Sequence, residues 1–371
     1  MSFNLGKRRE TSAPRRDGAA LRRGWTTGAC ATAATKAALE ALLTGHFPDP
    51  VEITLPKGQR PGFALARARL DAGSAMASII KDAGDDPDVT HLAEIVSTVR
   101  LTARGSGLVF RAGEGVGTVT RPGLPIPPGE PAINPVPRRM MGEVVEALCA
   151  AHGRADDVEI TISVTNGAAL AEKTWNGRLG ILGGLSILGT TGVVHPFSCS
   201  AWIHSIHRGI DVARAANLSR VIAATGSASE DAARRLHPEL PDIACLDMGD
   251  FAGGVLKYLR RHPVPNLTLA GGFAKLTKLA QGSLDLHSGR SQVDFAFLAD
   301  LTGTPALTPR ILIANTAKEV LDLCQEAGID LAEAVARRAL ATIRETLGDA
   351  PVAVEVLAVD RAGAVIARIG G

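Results

Sequence analysis

At 371 residues the chain exceeds one ordinary core and suits two domains. Apolar residues make up 46 %, so a core is available, while 40 Lys plus Arg against 38 Asp plus Glu leave no basic field for a nucleic acid. One Tyr and three Trp give few platforms for base stacking, and no apolar run reaches membrane-spanning length.

Residues 1–20 carry Lys7, Arg8, Arg9, Arg15 and Arg16 with no apolar stretch after them. They read as a disordered basic tail, neither a signal peptide nor an anchor. The five cysteines are scattered at 30, 149, 199, 245 and 324 without a CxxC, which reads as reduced thiols in a cytoplasmic protein.

From Gly24 the segment Gly-Trp-Thr-Thr-Gly-Ala-Cys30 leads into an Ala-rich helix that stops at Thr44-Gly45. Val51–Leu55, Phe63–Leu70, Ala75–Ile80 and Ile95–Leu101 are short alternating or β-branched runs and predict strands. Residues 104–131 are dense in Gly and Pro and predict loop. Asn134-Pro135 opens a helix to about Ala151, with Asn as cap and Pro in the first turn. Val158–Val164 is a further alternating strand. Residues 177–192 hold six glycines, a density that permits close backbone approach.

After Pro196 the pattern changes. Helices at about Ala201–Ala216, Glu230–Leu236 and Phe251–Arg261 alternate with strands at Val221–Ala224, Ile243–Leu246 and Leu267–Ala270. Such alternation predicts a parallel sheet. A long helical stretch at 317–346 precedes a closing hairpin, Val352–Leu357 with Ala364–Ile369. The expected class is α/β. Residues 21–195 form an α+β domain with a mixed sheet, and 196–371 a Rossmann-like, doubly wound domain with the hairpin.

Four constellations bear on chemistry. In open parallel sheets ligands bind beyond the carboxyl ends of the strands. Those ends carry Thr225-Gly226, Asp247 and Gly271-Gly272. Asp247 stands about 20 residues beyond the first turn, where such folds place an acid on ribose hydroxyls. Capping the helix near Phe251 is the competing role. The second is Lys81-Asp-Ala-Gly-Asp-Asp-Pro-Asp88, whose carboxylates suit a divalent cation, a general base or simply a solvated turn. The third is Thr26-Thr27-Gly28 at a helix start, an anion site by its amides and dipole; Cys30 there is better read as a small buried thiol than as a nucleophile. The fourth is Gly183-Gly-Leu-Ser-Ile-Leu-Gly-Thr-Thr-Gly192, which can cradle carboxylates or form a tight crossing. His204 and His207 lack a third ligand at a sensible spacing, so no metal is expected.

The run Arg23-Gly-Trp-Thr-Thr-Gly-Ala-Cys-Ala-Thr-Ala-Ala-Thr-Lys-Ala-Ala38 resembles the opening signature of the CbiD family of cobalt-precorrin-5B carbon-1 methyltransferases. So do 81–90, 113–123, 129–138 and 179–196, and Lys275–Gly282 with His287-Ser288 extends the likeness. The chain departs from the family pattern at Ser227-Ala228 and at Gly271-Gly-Phe-Ala274.

The resemblance implies methylation of carbon 1 of cobalt-precorrin-5B to cobalt-precorrin-6A in anaerobic-type cobalamin biosynthesis. S-adenosylmethionine would be the donor and a small-molecule corrinoid the substrate, with no nucleic acid and no membrane; a homodimer is entertained. The polyanionic ring needs cations, and Arg22, Arg23, Arg121, Arg138, Arg139, Lys275, Lys278 and Arg290 lie in or beside the motifs. The residues assigned are Asp82 and Asp85 to catalysis and Thr225, Gly226, Asp247, Gly271 and Gly272 to the donor. Thr26, Thr27, Gly28, Arg138, Ser186, Thr190, Thr191, Lys275, Lys278 and His287 are assigned to the substrate. A non-catalytic tetrapyrrole carrier and a small-molecule kinase remain as alternatives.

Overall fold

The structure, a computed structural model, describes residues 21–370; the basic tail at 1–20 lies outside the described residues. Its frame is two five-stranded sheets, one built from residues before 195 and the other from residues after it.

Helix α1 (Thr27–Thr44) starts and stops where its sequence signals lie. The Thr26 side chain accepts from the Ala29 N–H, and Gly45 in the left-handed region sends its N–H to the Ala41 carbonyl. Its alanines are fully buried, which lets the helix axis come close to a sheet.

That sheet contains β1 (Arg67–Asp71), β2 (Ser74–Ile80), β3 (Glu94–Leu101), β4 (Leu108–Ala112) and, after helix α2 (Pro135–Ala151), β5 (Val158–Val164). The order is β1-β2-β3-β5-β4. All neighbours are antiparallel except β4 and β5, which are parallel and joined through α2. Ala75, Ala77, Ile79, Ile95, Val99, Ile160 and Ile162 point to one face and pack with α1 and α2. At the centre a buried Thr35 hydroxyl meets that of Ser97 at 2.8 Å.

Four expectations need correction here. The Gly/Pro-rich stretch at 104–131 is not all loop, because Leu108–Ala112 forms the edge strand β4. Five residues between glycines carry too little pattern to stand out, and the partner strand β5 supplies the pairing. Phe63–Leu70 is broken into Gly62–Phe63 and β1, and Val51–Leu55 pairs only at Val51–Glu52. Asn134 precedes α2 but makes no cap; its side-chain amide donates to the Ile187 carbonyl instead.

The second sheet follows helix α3 (Cys199–Ala215). Strand β6 (Arg220–Ala224), helix α4 (Ser227–Leu236), strand β7 (Cys245–Asp247), helix α5 (Ala252–Leu259) and strand β8 (Asn266–Gly272) alternate as expected. Helices α6 (Phe273–Ala280), α7 (Phe295–Thr302), α8 (Thr308–Leu312), α9 (Ala317–Glu326) and α10 (Leu331–Leu347) come next, then the hairpin β9 (Ala353–Val359) and β10 (Val365–Gly370). The stretch expected as one helix at 317–346 is two, α9 and α10, parted at Gly328 with φ +71°. Helices α6 to α8 lie in a span where the sequence reading assigned none.

The order is β7-β6-β8-β9-β10, parallel except for the last pair. The chain therefore reverses direction across the sheet between β6 and β8, the place at whose carboxyl edge open sheets of this kind bind ligands. Helix α4 covers one face over Ile222, Ala224, Ala270 and Leu357. Helices α3, α5, α6 and α10 cover the other.

Glu355 on β9 is 1 % exposed and is surrounded by donors. His237 Nε2 lies 2.7 Å away, the Thr268 hydroxyl donates at 2.8 Å, and Arg368 Nε donates at 2.7 Å. Burial works to raise its carboxyl, but these bonds outweigh that and hold it below the ordinary value. Removing the acid leaves Arg368, His237 and Thr268 facing each other without it. Glu355→Ala is expected to cost about 3–5 kcal/mol in denaturant unfolding, whereas Asp322→Ala in an exposed pair on α9 moves stability by about 0.5 kcal/mol or less.

Candidate active site

The motifs scattered along the first half meet around the first turn of α1. Gly28 N–H donates to the Leu188 carbonyl at 2.8 Å, and Thr26 N–H donates to Gly192 at 3.0 Å. The Thr27 hydroxyl both donates to the Leu188 carbonyl and accepts from its N–H. Further out, Asn134 N–H donates to Ile187, Ile187 N–H to Ala132, Ala132 N–H to Gly117 and Gly117 N–H to Leu185. The segments 24–28, 113–117, 132–134 and 185–192 are thus one main-chain lattice.

Glycine is needed where these backbones touch. A Cβ on Gly24 would sit 2.0 Å from the Ala83 carbonyl carbon, and one on Gly84 2.2 Å from the Arg22 carbonyl oxygen. Gly189, with φ +135°, would place a Cβ 2.2 Å from Thr26 Oγ1. The helix-start amides expected to hold an anion are therefore largely taken by the chain itself: Gly28 by Leu188, Ala29 by Thr26.

The acidic turn closes the lattice on one side. Trp25 N–H donates to the Asp82 carbonyl at 2.7 Å, and Asp85 N–H donates to Arg22 at 3.0 Å. The Arg22 guanidinium grips the Asp82 carboxylate with both terminal nitrogens, and the Arg22 N–H donates to Asp85 Oδ2 at 2.7 Å. The hydrogen bond from Arg22 is the main cause that brings the Asp82 carboxyl down to about 2.

Asp86 shows the opposite shift. Burial raises it, against a hydrogen bond from Phe197 N–H at 2.8 Å. Asp88 takes the ammonium of Lys81 at 2.7 Å, and Lys81 itself is 1 % exposed. Burial also pushes the Cys30 thiol up to about 12, so it is no nucleophile at neutral pH.

A second cluster lies at the carboxyl edge of the other sheet. Thr225 N–H donates to Ala270, and a Cβ on Gly271 would lie 3.0 Å from Thr225 Cγ2, so the ends of β6 and β8 touch. Lys275 donates to the Thr225 carbonyl at 2.8 Å and pairs with Asp250 at 2.9 Å. Lys278 is 7 % exposed and donates to the Leu286 carbonyl at 3.0 Å; burial lowers it. Leu286 N–H in turn donates to Asp250. At the end of β7 the carbonyl of Asp247 accepts from Trp202 Nε1 at 2.8 Å. The segment at 197–202 joins the clusters, since Phe197 reaches Asp86 and the Cys199 thiol interacts with Arg290.

The structure thus gathers Thr26, Thr27, Gly28, Asp82 and Asp85 at one place, and Thr225, Gly226, Gly271 and Lys275 at another. Thr190 is exposed and Thr191 half-exposed on the loop over α1. Ser186 faces Asn176 at 3.4 Å, and His287 stands in an exposed turn where its Nδ1 accepts from Gly289 N–H. Arg138 is spent locally: it donates to the Ile133 and Pro131 carbonyls and to Glu130. Sequence reasoning missed the buried Lys81–Asp88 pair, although Lys81 continues the inward alternation Ala75, Ala77, Ile79. It also missed Trp202 and the Arg178–Glu230 bridge at 2.6 Å, which ties the glycine-rich segment to the first turn of α4. No local pattern marks either.

Comparison with known proteins bears on this arrangement. The CbiD family profile matches residues 14–196, and that of the CbiD C-terminal domain matches 285–370. A curated relative from Brucella anthropi, named cobalt-precorrin-5B C(1)-methyltransferase, is 68 % identical over 355 residues, 95 % of this chain and 96 % of its own. The chain belongs to the CbiD family. A CbiD relative of the same name from Brucella canis is 67 % identical over the same shares. A solved structure, the cobalamin biosynthesis protein (cbiD) from Archaeoglobus fulgidus, is 28 % identical over 73 % of this chain and 83 % of that chain; its TM-score of 0.39 is too low to bear on the fold. The two CbiD profiles span the lattice, the acidic turn and the His287 loop. The strand-end residues at 225–272 fall between them.

Two outcomes are expected. Gly24→Ala forces a Cβ into main chain that cannot yield, so it should cost about 1–3 kcal/mol or more in thermal unfolding, while Gly177→Ala, with open space around it, stays within about 0.5 kcal/mol. The lowered Asp82 carboxyl adds stability above its ordinary value of 3.8 that is lost as pH falls toward about 2. The pair is 59 % and 40 % exposed, so the gain is about 1 kcal/mol at most. Denaturant titrations of Asp82→Asn and the parent protein should differ at neutral pH and converge near pH 2.

Proposed function

We propose that this chain methylates carbon 1 of cobalt-precorrin-5B with S-adenosylmethionine as donor. What carries the reading is identity of 68 % along 95 % of the chain to a protein named for that methyl transfer. A carrier or a kinase has no comparable support, and no P-loop sequence is present.

The donor is assigned to the crevice between β6 and β8. There Thr225, Gly226, Gly271 and Gly272 offer main chain at close quarters and Asp247 an acid for ribose hydroxyls. The corrinoid is assigned to the side of the lattice that faces the crevice across 197–202. Exposed Arg23, Arg290 and His287, together with Lys275, Thr190 and Thr191, are the groups in reach of its carboxylates.

In the reaction the ring carbon supplies an electron pair to the methyl carbon, and the carbon–sulfur bond breaks with its pair going to sulfur. The protein's part is alignment and exclusion of water, worth roughly 7–11 kcal/mol. Where a ring proton is lost, a carboxylate of the acidic turn receives it. Asp82, held ionised by Arg22, is better suited to position the turn; Asp85, and Asp86 with its raised carboxyl, are the acceptors we favour. Five free thiols fit a reducing cytoplasm, and a homodimer is the assembly we expect.

The test is direct. Purified protein incubated with cobalt-precorrin-5B and S-adenosylmethionine should yield singly methylated product and S-adenosylhomocysteine, with ATP untouched. Calorimetry with S-adenosylhomocysteine, ATP and a corrinoid separates the three readings: a carrier binds only the corrinoid, a kinase binds ATP. Asp247→Asn should weaken donor binding roughly 10- to 150-fold, the worth of a hydrogen bond to a charged group, and leave the KM for corrinoid near its parent value.

A further inference from the structure

We propose that the indole of Trp202 is the plate on which the adenine of the donor stacks. This rests on the assignment of the donor to the crevice and names the base subsite within it.

The three tryptophans of the chain are in different states. Trp25 packs edge-on against Phe63 at 5.5 Å, and Trp175 carries the Arg178 guanidinium 4.3 Å above its ring. Trp202 is 45 % exposed, yet its ring is held in a set orientation. Its Nε1 donates to the Asp247 carbonyl at 2.8 Å. Its six-membered ring lies 3.2 Å from where a Cβ on Gly249 would stand, so the ring rests on the main chain that follows β7. Phe251 leans on it at 6.1 Å and 52°, and the Arg290 guanidinium sits 5.8 Å above Phe251.

An exposed aromatic side chain that only plugged a strand end would need no such tether. Here the tether is to the residue whose carboxylate is assigned to the ribose. The ribose carries the base on its neighbouring carbon, so a base bound beyond Asp247 comes to the first turn of α3, where Trp202 stands. Glycine at 249 lets the indole lie against this main chain: φ is +57° there, and a side chain would push the ring away from the place where it stands beside Asp247. Stacking needs only a π-face, which suits a flat purine and asks for no hydrogen-bonding pattern from the protein.

The experiment uses full-length enzyme with S-adenosylhomocysteine as probe. Trp202→Ala should bind it roughly 5- to 150-fold more weakly, the loss of one base stack, and raise the KM for S-adenosylmethionine with the KM for corrinoid near parental. Trp202→Phe should keep most of the affinity. S-adenosylhomocysteine should quench part of the indole emission of the parent protein, and that quench should vanish in Trp202→Phe although binding persists. If Trp202→Ala does not fold, the Trp202→Phe emission decides: a quench of parental size overturns the proposal. Parental affinity in a folded Trp202→Ala overturns it too, and leaves the crevice assignment standing if Asp247→Asn still weakens binding. No effect of either variant on an enzyme that binds the probe removes both.

Discussion

The arrangement depends on how the first turn of α1 is satisfied. A helix start leaves N–H groups without partners inside the helix. Here one partner is local, the Thr26 side chain, and another comes from Leu188, more than a hundred and fifty residues away. Because Leu188 is itself fixed by Ile187 and the Ala132–Gly117–Leu185 run, one helix end gathers the segments 113–117, 132–134 and 185–192. The Ala-rich face of α1 then lies flat on β2 and β3, so the same helix sets both the core and the lattice.

Close approach of this kind has a steric requirement more than an energetic one. Main chain meets main chain at Gly24–Ala83 and Gly84–Arg22, where even a methyl group is excluded. Charge then holds the edges. Lys81 is buried whole and neutralised by Asp88, while Arg22 neutralises Asp82. A cluster of carboxylates that looks like a loose polar turn in sequence is in fact divided among fixed partners, and burial raises the carboxyl of Asp86, where the second half of the chain makes contact through Phe197.

The second half works by topology. Its strand order reverses between β6 and β8, and small residues stand at both strand ends. Lys275 and Asp250 pair across this edge, so a charge that sequence proximity suggested for the substrate is partly engaged with the Thr225 carbonyl and an acid. The segment 197–202 touches both this edge and the acidic turn, through Trp202 to the Asp247 carbonyl and through Phe197 to Asp86.

The sequence by itself determined the elements whose pattern is local. Val158–Val164 alternates without a break, α1 has its glycine stop, and the β/α alternation after 216 implies a parallel sheet. The family was legible in the motifs because their residue identities are constrained by contact. Only the tertiary structure decided what those residues do. A glycine reads the same whether it faces a ligand or another backbone, and Thr26-Thr27-Gly28 turned out to face Leu188 and Gly192. Arg138 reads as a free cation but is consumed by carbonyls that its own helix start brings near. Strand β4 exists because β5 pairs with it, and Trp202 acquires its place because Asp247, distant in sequence, presents a carbonyl to its ring nitrogen. Period and capping act over a few residues and survive in the sequence; partners brought from afar leave no local mark, since what selects them is the geometry of the closed chain.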